Sequence, residues 1–154
     1  MGYTLTINGV PFKSAEQICY SGCAGPGRFY SSDDRSGFGP PPLITAQEYD
    51  DRETVFPGVD DVGIKRFGRR TRTITVSLIY VYATKAACEA AIEADFKTNF
   101  VQLARYTITM PGGTALQGCR LVPGGAAETT WGPPLGGSFV AQVRAVFKQY
   151  SLAN

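Results

Sequence analysis

The sequence predicts a mainly β protein of the α+β type: an antiparallel β-barrel or sandwich with one packed α-helix and a long arm in the N-terminal half. Residues 3–13, 64–82 and 138–150 contain apolar positions that alternate with the period of a strand. Residues 84–103 instead carry an apolar stripe at helical spacing. The 18 glycines and 10 prolines cluster between these segments, which indicates long irregular connections.

The composition fits one folded domain over residues 1–154. The chain is 44% hydrophobic and 18% charged, which is too apolar for a disordered chain. It contains no histidine, so histidine-based acid–base catalysis, histidine-activated nucleophiles and histidine-ligated metals are excluded. The formal net charge of +2 predicts no bulk attraction to nucleic acid or to acidic membranes.

The first predicted element is a hairpin over residues 3–13. Tyr3, Leu5 and Ile7 alternate with threonines, and Asn8-Gly9 is a strong signal for a two-residue hairpin turn. Pro11 lacks an amide hydrogen, so the returning strand should be short or lie at an edge.

Residues 20–55 are predicted to form an extended arm or loop with little regular structure. A loop of this length without secondary structure is uncommon in a compact domain. Because the segment contains Phe29, Tyr30 and Phe38, we expect it to become ordered against a neighbouring molecule.

Residues 64–82 give the clearest strand, with one solvated face at its start and apolar residues on both faces near its end. The helix over 84–103 has Thr84 as its predicted N-cap and an ion pair between Glu93 and Lys97 on its polar side.

A second hairpin is predicted over residues 105–122, with its turn at Pro111-Gly112-Gly113. Residues 123–137 read as a Gly/Pro-rich loop that carries the single tryptophan, Trp131. The last strand, 138–150, is long enough to span a whole barrel or sandwich.

Two charged segments lie near the middle of the chain. The basic segment contains Lys65, Arg66, Arg69, Arg70 and Arg72, and the acidic segment contains Glu48, Asp50, Asp51 and Glu53. Opposed charges of this kind favour an inter-subunit ion-pair surface, because each identical subunit presents both signs to its neighbours. A nucleic-acid contact and a simply solvated strand end are the alternatives.

The sequence predicts no catalytic residues, metal site or cofactor. Adjacent carboxylates such as Asp50 and Asp51 do not by themselves form a catalytic pair, and the glycine groups lack the pattern of a phosphate loop. The N-terminus has neither the basic nor the apolar region of a signal peptide. We therefore expect the four cysteines, at 19, 23, 88 and 119, to be reduced and buried.

The segment from Phe56 to Phe96 resembles small tail proteins of tailed bacteriophages, the tail-tube and distal-tail (baseplate hub) superfamily. The similarity is carried by the Phe-Pro-Gly-Val segment that starts at Phe56, by Gly68-Arg69-Arg70 and Arg72-Thr73-Ile74, and by the helix that follows. The closing strand from Phe139 to Tyr150 also fits this pattern.

This resemblance implies a non-enzymatic structural protein of the virion, made in the host bacterial cytoplasm. Such proteins form homo-oligomeric, typically hexameric, rings around the DNA channel and contact adjacent tail rings, baseplate or connector proteins. DNA would pass through the lumen without sequence-specific binding, and no membrane is involved. The arm would order on an adjacent ring, so removal of residues 24–42 should leave the domain folded and block stacking. Tube, distal-tail, terminator and connector roles all stay open.

Two other functions fit the residues. Trp131 and the tyrosines of the loops would suit a carbohydrate-binding β-sandwich, because exposed aromatic rings stack on sugars. A small glycosidase that uses a carboxylate pair needs no histidine.

Overall fold

A computed structural model of the chain describes residues 4–15, 26–32, 41–45, 49–55, 57–58, 62–69, 72–101, 105–126, 129–132 and 137–150. The strands are β1 (Thr4–Ile7), β2 (Val10–Ser14), β3 (Gly27–Tyr30), β4 (Leu43–Ile44), β5 (Tyr49–Val55), β6 (Val62–Arg69), β7 (Arg72–Tyr82), β8 (Tyr106–Thr109), β9 (Ala115–Ala126), β10 (Thr130–Trp131) and β11 (Phe139–Gln149). The helix is α1 (Lys85–Ala94), and a π-helical segment, Asp95–Asn99, continues it.

Nine of the described strands form one sheet in the order β10-β11-β9-β8-β1-β2-β3-β7-β4. Because β7 also pairs with β11 along its whole length, seven of these strands form a closed circuit of backbone hydrogen bonds. The predicted mainly β fold with one helix is confirmed. The sheet is mixed, since Lys13 and Ser14 of β2 pair in parallel with β3 whereas its other strand pairs are antiparallel.

The first hairpin forms as predicted. Asn8 and Gly9 both have positive φ, 49° and 79°, as a tight hairpin turn between two strands requires. The expectation of a very short or edge strand at Pro11 is not met, since β2 has five residues and lies between β1 and β3. The proline is accommodated because β3 pairs with β2 only beyond it, at Lys13 and Ser14. The missing amide hydrogen therefore costs no hydrogen bond to β3.

The expectation of a largely unstructured arm over 20–55 is wrong for the described parts of that segment. β3 and β4 both pair with β7, on the edge opposite to β11. Residues 24–42 include all of β3, so their removal would open the closed circuit. The structure therefore gives no support to the expected tolerance of that deletion.

The core lies inside the circuit and is rich in aromatic residues. The rings of Phe12, Tyr80, Phe100 and Phe147 are buried and pack through edge or tilted contacts with centroids 5.8–6.2 Å apart. Such pairs add stability beyond the area they bury. The prediction of a single strand over 64–82 is wrong, because the chain forms two strands there, β6 and β7, which belong to different sheets. Within β7, Ser77 to Val81 are buried on both faces, as predicted for the end of that segment.

The helix covers one side of this core. Thr84 is the N-cap: its hydroxyl oxygen accepts a hydrogen bond from the Ala87 amide at 3.2 Å, as predicted. The predicted Glu93–Lys97 ion pair is present on the exposed face. The α-helical part ends at Ala94, nine residues before the predicted end, because the chain changes to π-helical geometry there.

The C-terminal half follows the predicted order. β8 and β9 form the second hairpin, and β11 closely matches the predicted last strand. The predicted loop over 123–137 is shorter than expected. β9 continues to Ala126, and β10 pairs with β11 through Thr130 and Trp131.

Candidate interaction surfaces

The acidic and basic segments form a hairpin of their own. In the part of the chain that the structure describes, β5 and β6 pair only with each other, in a two-stranded sheet separate from the nine-stranded one. Their register places Asp51 opposite Arg66 and Tyr49 opposite Arg69. The two charged segments that the sequence suggested as complementary surfaces of different subunits thus lie side by side within one chain.

The tip of this charged hairpin is exposed. Glu53, Thr54 and Val55 are all solvent-exposed, and the side chain of Val55 is 73% accessible. The turn contains Gly58 at a φ of 78°, a conformation that favours glycine. Asp50 and Lys65 lie on the paired strands β5 and β6.

The base of the charged hairpin is held to the main sheet by hydrogen bonds between Thr45 and Thr73. Thr45 follows β4, and its amide donates to the Thr73 carbonyl of β7 at 2.9 Å. The Thr73 amide in turn donates to the Thr45 hydroxyl oxygen at 3.0 Å. The chain therefore leaves the main sheet after Thr45 and rejoins it at Arg72, and the hydrogen bonds between Thr45 and Thr73 hold the two ends of the charged hairpin together.

Arg72 belongs to the main sheet and not to the charged hairpin. It begins β7, pairs with Gln149 of β11 and is half-buried. Its Nε is buried and has no hydrogen-bond partner among the residues that the structure describes. Three other predicted contact residues, Phe38, Glu48 and Arg70, lie outside the described residues.

The structure corrects the proposed role of Phe29 and Tyr30. Both belong to β3, and their side chains are only 1% and 2% exposed. Phe29 packs with Ile79 and Val140 in a small second cluster, and Tyr30 belongs to the main core. They stabilise their own domain and offer no surface to a neighbour.

Trp131 is exposed beside the helix. It lies on the short edge strand β10, its side chain is 37% accessible, and the Lys85 ammonium sits 5.0 Å from the ring centroid. A groove of about 370 Å³ runs between β10 and α1. Its lining residues are Glu89, Ile92, Glu93, Thr129 and Trp131.

A buried ion pair near the helix was missed from the sequence. Asp95 is fully buried, and its carboxylate oxygens accept hydrogen bonds from Arg28 Nε at 2.8 Å and Nη2 at 3.2 Å. The Tyr80 hydroxyl and the Asn99 amide also donate to it, each at 2.8 Å. The available signal was an aspartate at a helix position whose neighbours on that face are apolar.

Two residues of this network, Arg28 and Tyr80, have raised pKa values. Burial alone lowers the pKa of Arg28, but the hydrogen bonds and charge of Asp95 more than offset this, so the pKa is raised. Burial, followed by the charge and hydrogen bond of Asp95, raises the pKa of Tyr80 well above its ordinary range. The four hydrogen bonds to the buried Asp95 carboxylate suit a structural role.

Two cysteines are free thiols in the interior. Cys88 and Cys119 are both fully buried, which confirms the expectation of reduced thiols for these two. Cys19 and Cys23 lie outside the described residues. Burial raises the pKa of Cys119 to about 11 and raises that of Cys88, so neither is an activated nucleophile.

The part of the chain that the structure describes contains neither a candidate metal site nor a membrane-spanning helix. No group of three or more cysteine, aspartate or glutamate residues there is arranged to hold a metal ion. The helix found among these residues is too short and too polar to cross a bilayer.

Comparison with solved structures finds distant structural neighbours. No family model matches the sequence, and no curated protein matches it. A solved structure of the Dit protein of phage SPP1, titled a paradigm of the hub adsorption apparatus in phages that infect Gram-positive bacteria, aligns with a TM-score of 0.42 and 16% identity. The alignment covers 80% of this chain and 49% of the Dit chain, so this chain spans about half the length of that neighbour. At this level of similarity the match assigns neither fold nor function.

Proposed function

We propose that this protein is a structural component of a bacteriophage tail that assembles into a homo-oligomeric ring, with six copies as the expected number. The charged hairpin β5–β6 carries the proposal. Each subunit would use it to contact an adjacent copy or an adjacent tail protein. The DNA channel would pass through the ring without sequence-specific contacts.

The physical argument starts from the stability of an isolated hairpin. Two strands without a third strand or a packed helix are marginally stable in water. Among the described residues, β5 and β6 pair with each other and with no third strand, and Val55 is 73% exposed at the end of β5. A neighbouring subunit would cover this apolar side chain and add packing to the hairpin.

The charges of the hairpin fit the same role. Strand β5 carries Asp50, Asp51 and Glu53, and strand β6 carries Lys65, Arg66 and Arg69. Both signs thus occur on one hairpin, as an ion-pair contact between identical subunits would require. Charges at the edge of an interface steer association and fix its register.

The resemblance of residues 56–96 to phage tail proteins supports the same proposal from the sequence. It includes the turn of the charged hairpin, strand β6, strand β7 and helix α1. Whether the ring belongs to the tube, the distal tail, the terminator or the connector is left open by these residues.

The test is the mass of the purified protein in solution, by light scattering over a range of protein and salt concentrations. The matched variant replaces residues 48–70 with a short Gly/Ser linker. Such a linker can join Thr45 to Thr73, because paired strands lie about 5 Å apart. The natural chain should form rings or tubes, whereas the shortened chain should unfold cooperatively and remain monomeric.

Two charge variants refine this experiment. Arg69→Glu changes a residue of the hairpin, whereas the control Lys13→Glu changes an exposed residue of β2. Ring formation should weaken for Arg69→Glu, with a difference that shrinks as salt is raised. Rings of normal size from the linker variant would contradict the proposal, and so would equal effects of the two charge changes.

A further inference from the structure

The groove between α1 and β10, the helix–β10 groove, does not take part in the proposed ring contact. It lies beside the β7–β11 pair, on a different part of the chain from the charged hairpin. We propose that this groove is a binding site for a neutral oligosaccharide, with Trp131 as its stacking surface.

The ring of Trp131 is exposed, and the Lys85 ammonium lies over it. A large apolar ring usually contributes to a core, yet this one is 37% exposed on an edge strand. The Lys85 ammonium covers one face of the indole at 5.0 Å and restrains its orientation. An exposed and restrained aromatic ring can stack on the apolar face of a pyranose with little loss of conformational entropy.

Polar groups line the groove beside the Trp131 ring. Glu89 and Glu93 provide planar carboxylates, and Thr129 provides a hydroxyl that both donates and accepts. Sugar hydroxyl groups need acceptors and donors of this kind beside an apolar surface, and Ile92 extends that surface. The residues combine an apolar lining with a few convergent polar groups, as ligand sites commonly do.

The charged groups around the groove nearly balance, which favours a neutral ligand over an ionic one. Glu93 already pairs with Lys97, and the Lys85 ammonium lies over Trp131. Two carboxylates and two ammonium groups therefore surround the groove, so it has little net attraction for an anion or a cation. A neutral ligand rich in hydroxyl groups fits this environment better than a basic peptide.

The size of the groove agrees with an oligosaccharide. Its volume of about 370 Å³ is within the range of small-molecule sites. The helix residues that flank it run from Lys85 to Glu93, about 12 Å at 1.5 Å per residue. This length accommodates more than one sugar ring.

The chain offers a direct readout, because Trp131 is its only tryptophan. Tryptophan emission would be titrated with maltotriose, cellotriose and the trimer of N-acetylglucosamine, with trilysine as the cationic comparison. We expect a saturable change for at least one trisaccharide, with half-saturation at about 1–10 mM, and none for trilysine.

Variants assign that change to the groove. Glu89→Ala keeps the tryptophan and should weaken binding about tenfold, whereas Glu53→Ala, an exposed glutamate of the charged hairpin, should leave it unchanged. By calorimetry, Trp131→Ala should abolish binding, whereas Tyr150→Ala, which removes a comparably exposed ring elsewhere, should not. Circular dichroism confirms that each variant is folded.

Three outcomes would overturn the proposal. They are no saturable change with any of the trisaccharides, a stronger response to trilysine, and equal weakening by Glu89→Ala and Glu53→Ala. An emission change that depends on protein concentration alone would identify a second copy as the occupant and would also overturn it. The first three outcomes do not depend on ring formation, and light scattering on the same samples shows whether an emission change that follows protein concentration accompanies assembly.

Discussion

The β7–β11 pair and the charged hairpin β5–β6 are both antiparallel pairs, but they are stabilised differently. The register of β7–β11 runs from Arg72 opposite Gln149 to Tyr82 opposite Phe139, and apolar side chains bury its inner face. The hairpin pairs only with itself and its strands are rich in charged residues. The comparison indicates that the closed sheet holds the core of the folded chain, whereas the hairpin is the surface for which we propose a contact role.

The largest expected effect is on the core side of this comparison. Phe147 of β11 is fully buried and its ring contacts those of Phe100 and Tyr106. Phe147→Ala removes these contacts and leaves a cavity, so it should lower the free energy of unfolding by about 3–5 kcal/mol. Urea unfolding followed by circular dichroism measures this change. A loss below about 1 kcal/mol would show that stability does not depend on this core.

The buried ion pair gives the next largest effect. Asp95→Ala leaves the guanidinium of Arg28 and the hydroxyl of Tyr80 without their acceptor, so we expect a loss of about 3 kcal/mol. In a double-mutant cycle, adding Arg28→Ala should cost less than it does in the natural background, because the guanidinium has already lost its partner. Strictly additive effects in urea unfolding would contradict a coupled pair.

The buried thiol of Cys119 and the buried phenol of Tyr80 predict that the stability of the core falls at alkaline pH. The pKa of Cys119 rises from 9.0 to about 11 on burial, and burial also raises that of Tyr80. Above pH 9 the thiol ionises in the unfolded chain before it ionises in the folded one, so stability falls between pH 9 and 11. The thiol contributes less than about 3 kcal/mol, since a pKa difference of 1 corresponds to about 1.4 kcal/mol.

Thermal unfolding between pH 7 and 11 measures this effect. Cys119→Ala should flatten the first part of the decline, between pH 9 and 10, compared with the natural chain. An identical decline in the variant would show that the thiol is not responsible.

The elements that the sequence predicted well depend on nearby residues. The Asn8-Gly9 turn, the N-cap at Thr84 and the long apolar strands follow from local backbone preference and periodicity. The prediction succeeded for β11 because alternation over many residues admits one interpretation. These features are confirmed in the structure.

The elements that were missed depend on partners far away in the sequence. β3 pairs with β2 in parallel and buries Phe29 against Ile79, and neither contact leaves a local pattern. The helix changes geometry at Asp95, whose main partner, Arg28, lies 67 residues earlier. β5 was missed because aspartate and glutamate have low strand propensity, so its sequence resembles a loop.

The candidate sites were predicted unevenly for the same reason. The charged residues were recognised from composition, but their arrangement in one hairpin depends on a register that the sequence does not reveal. Trp131 was noticed as a possible sugar contact, whereas its groove requires α1 and β10 to lie side by side. Composition identified the chemistry, and the fold determined which groups meet.

A smaller effect tests the start of the helix. Thr84→Ala removes the hydroxyl oxygen that accepts from the Ala87 amide, so it should lower stability by about 1 kcal/mol. Thr84→Ser keeps the acceptor and should lose only part of this amount. If both variants lose the same stability in urea unfolding, the cap does not explain the effect.

The smallest effect on folding should come from a substitution in the charged hairpin. Its effect on association tests the contrast between the hairpin and the closed sheet. Val55→Ser replaces an exposed apolar side chain, so the free energy of unfolding of the monomer should change by less than about 0.5 kcal/mol. If a neighbouring subunit covers this residue, the same substitution should weaken association several-fold in light scattering. An exposed control, Thr107→Ala on β8, should change neither quantity. A residue that matters for assembly and not for folding is what distinguishes a contact hairpin from the sheet that supports it, so unchanged association of Val55→Ser would leave the hairpin tip without that role.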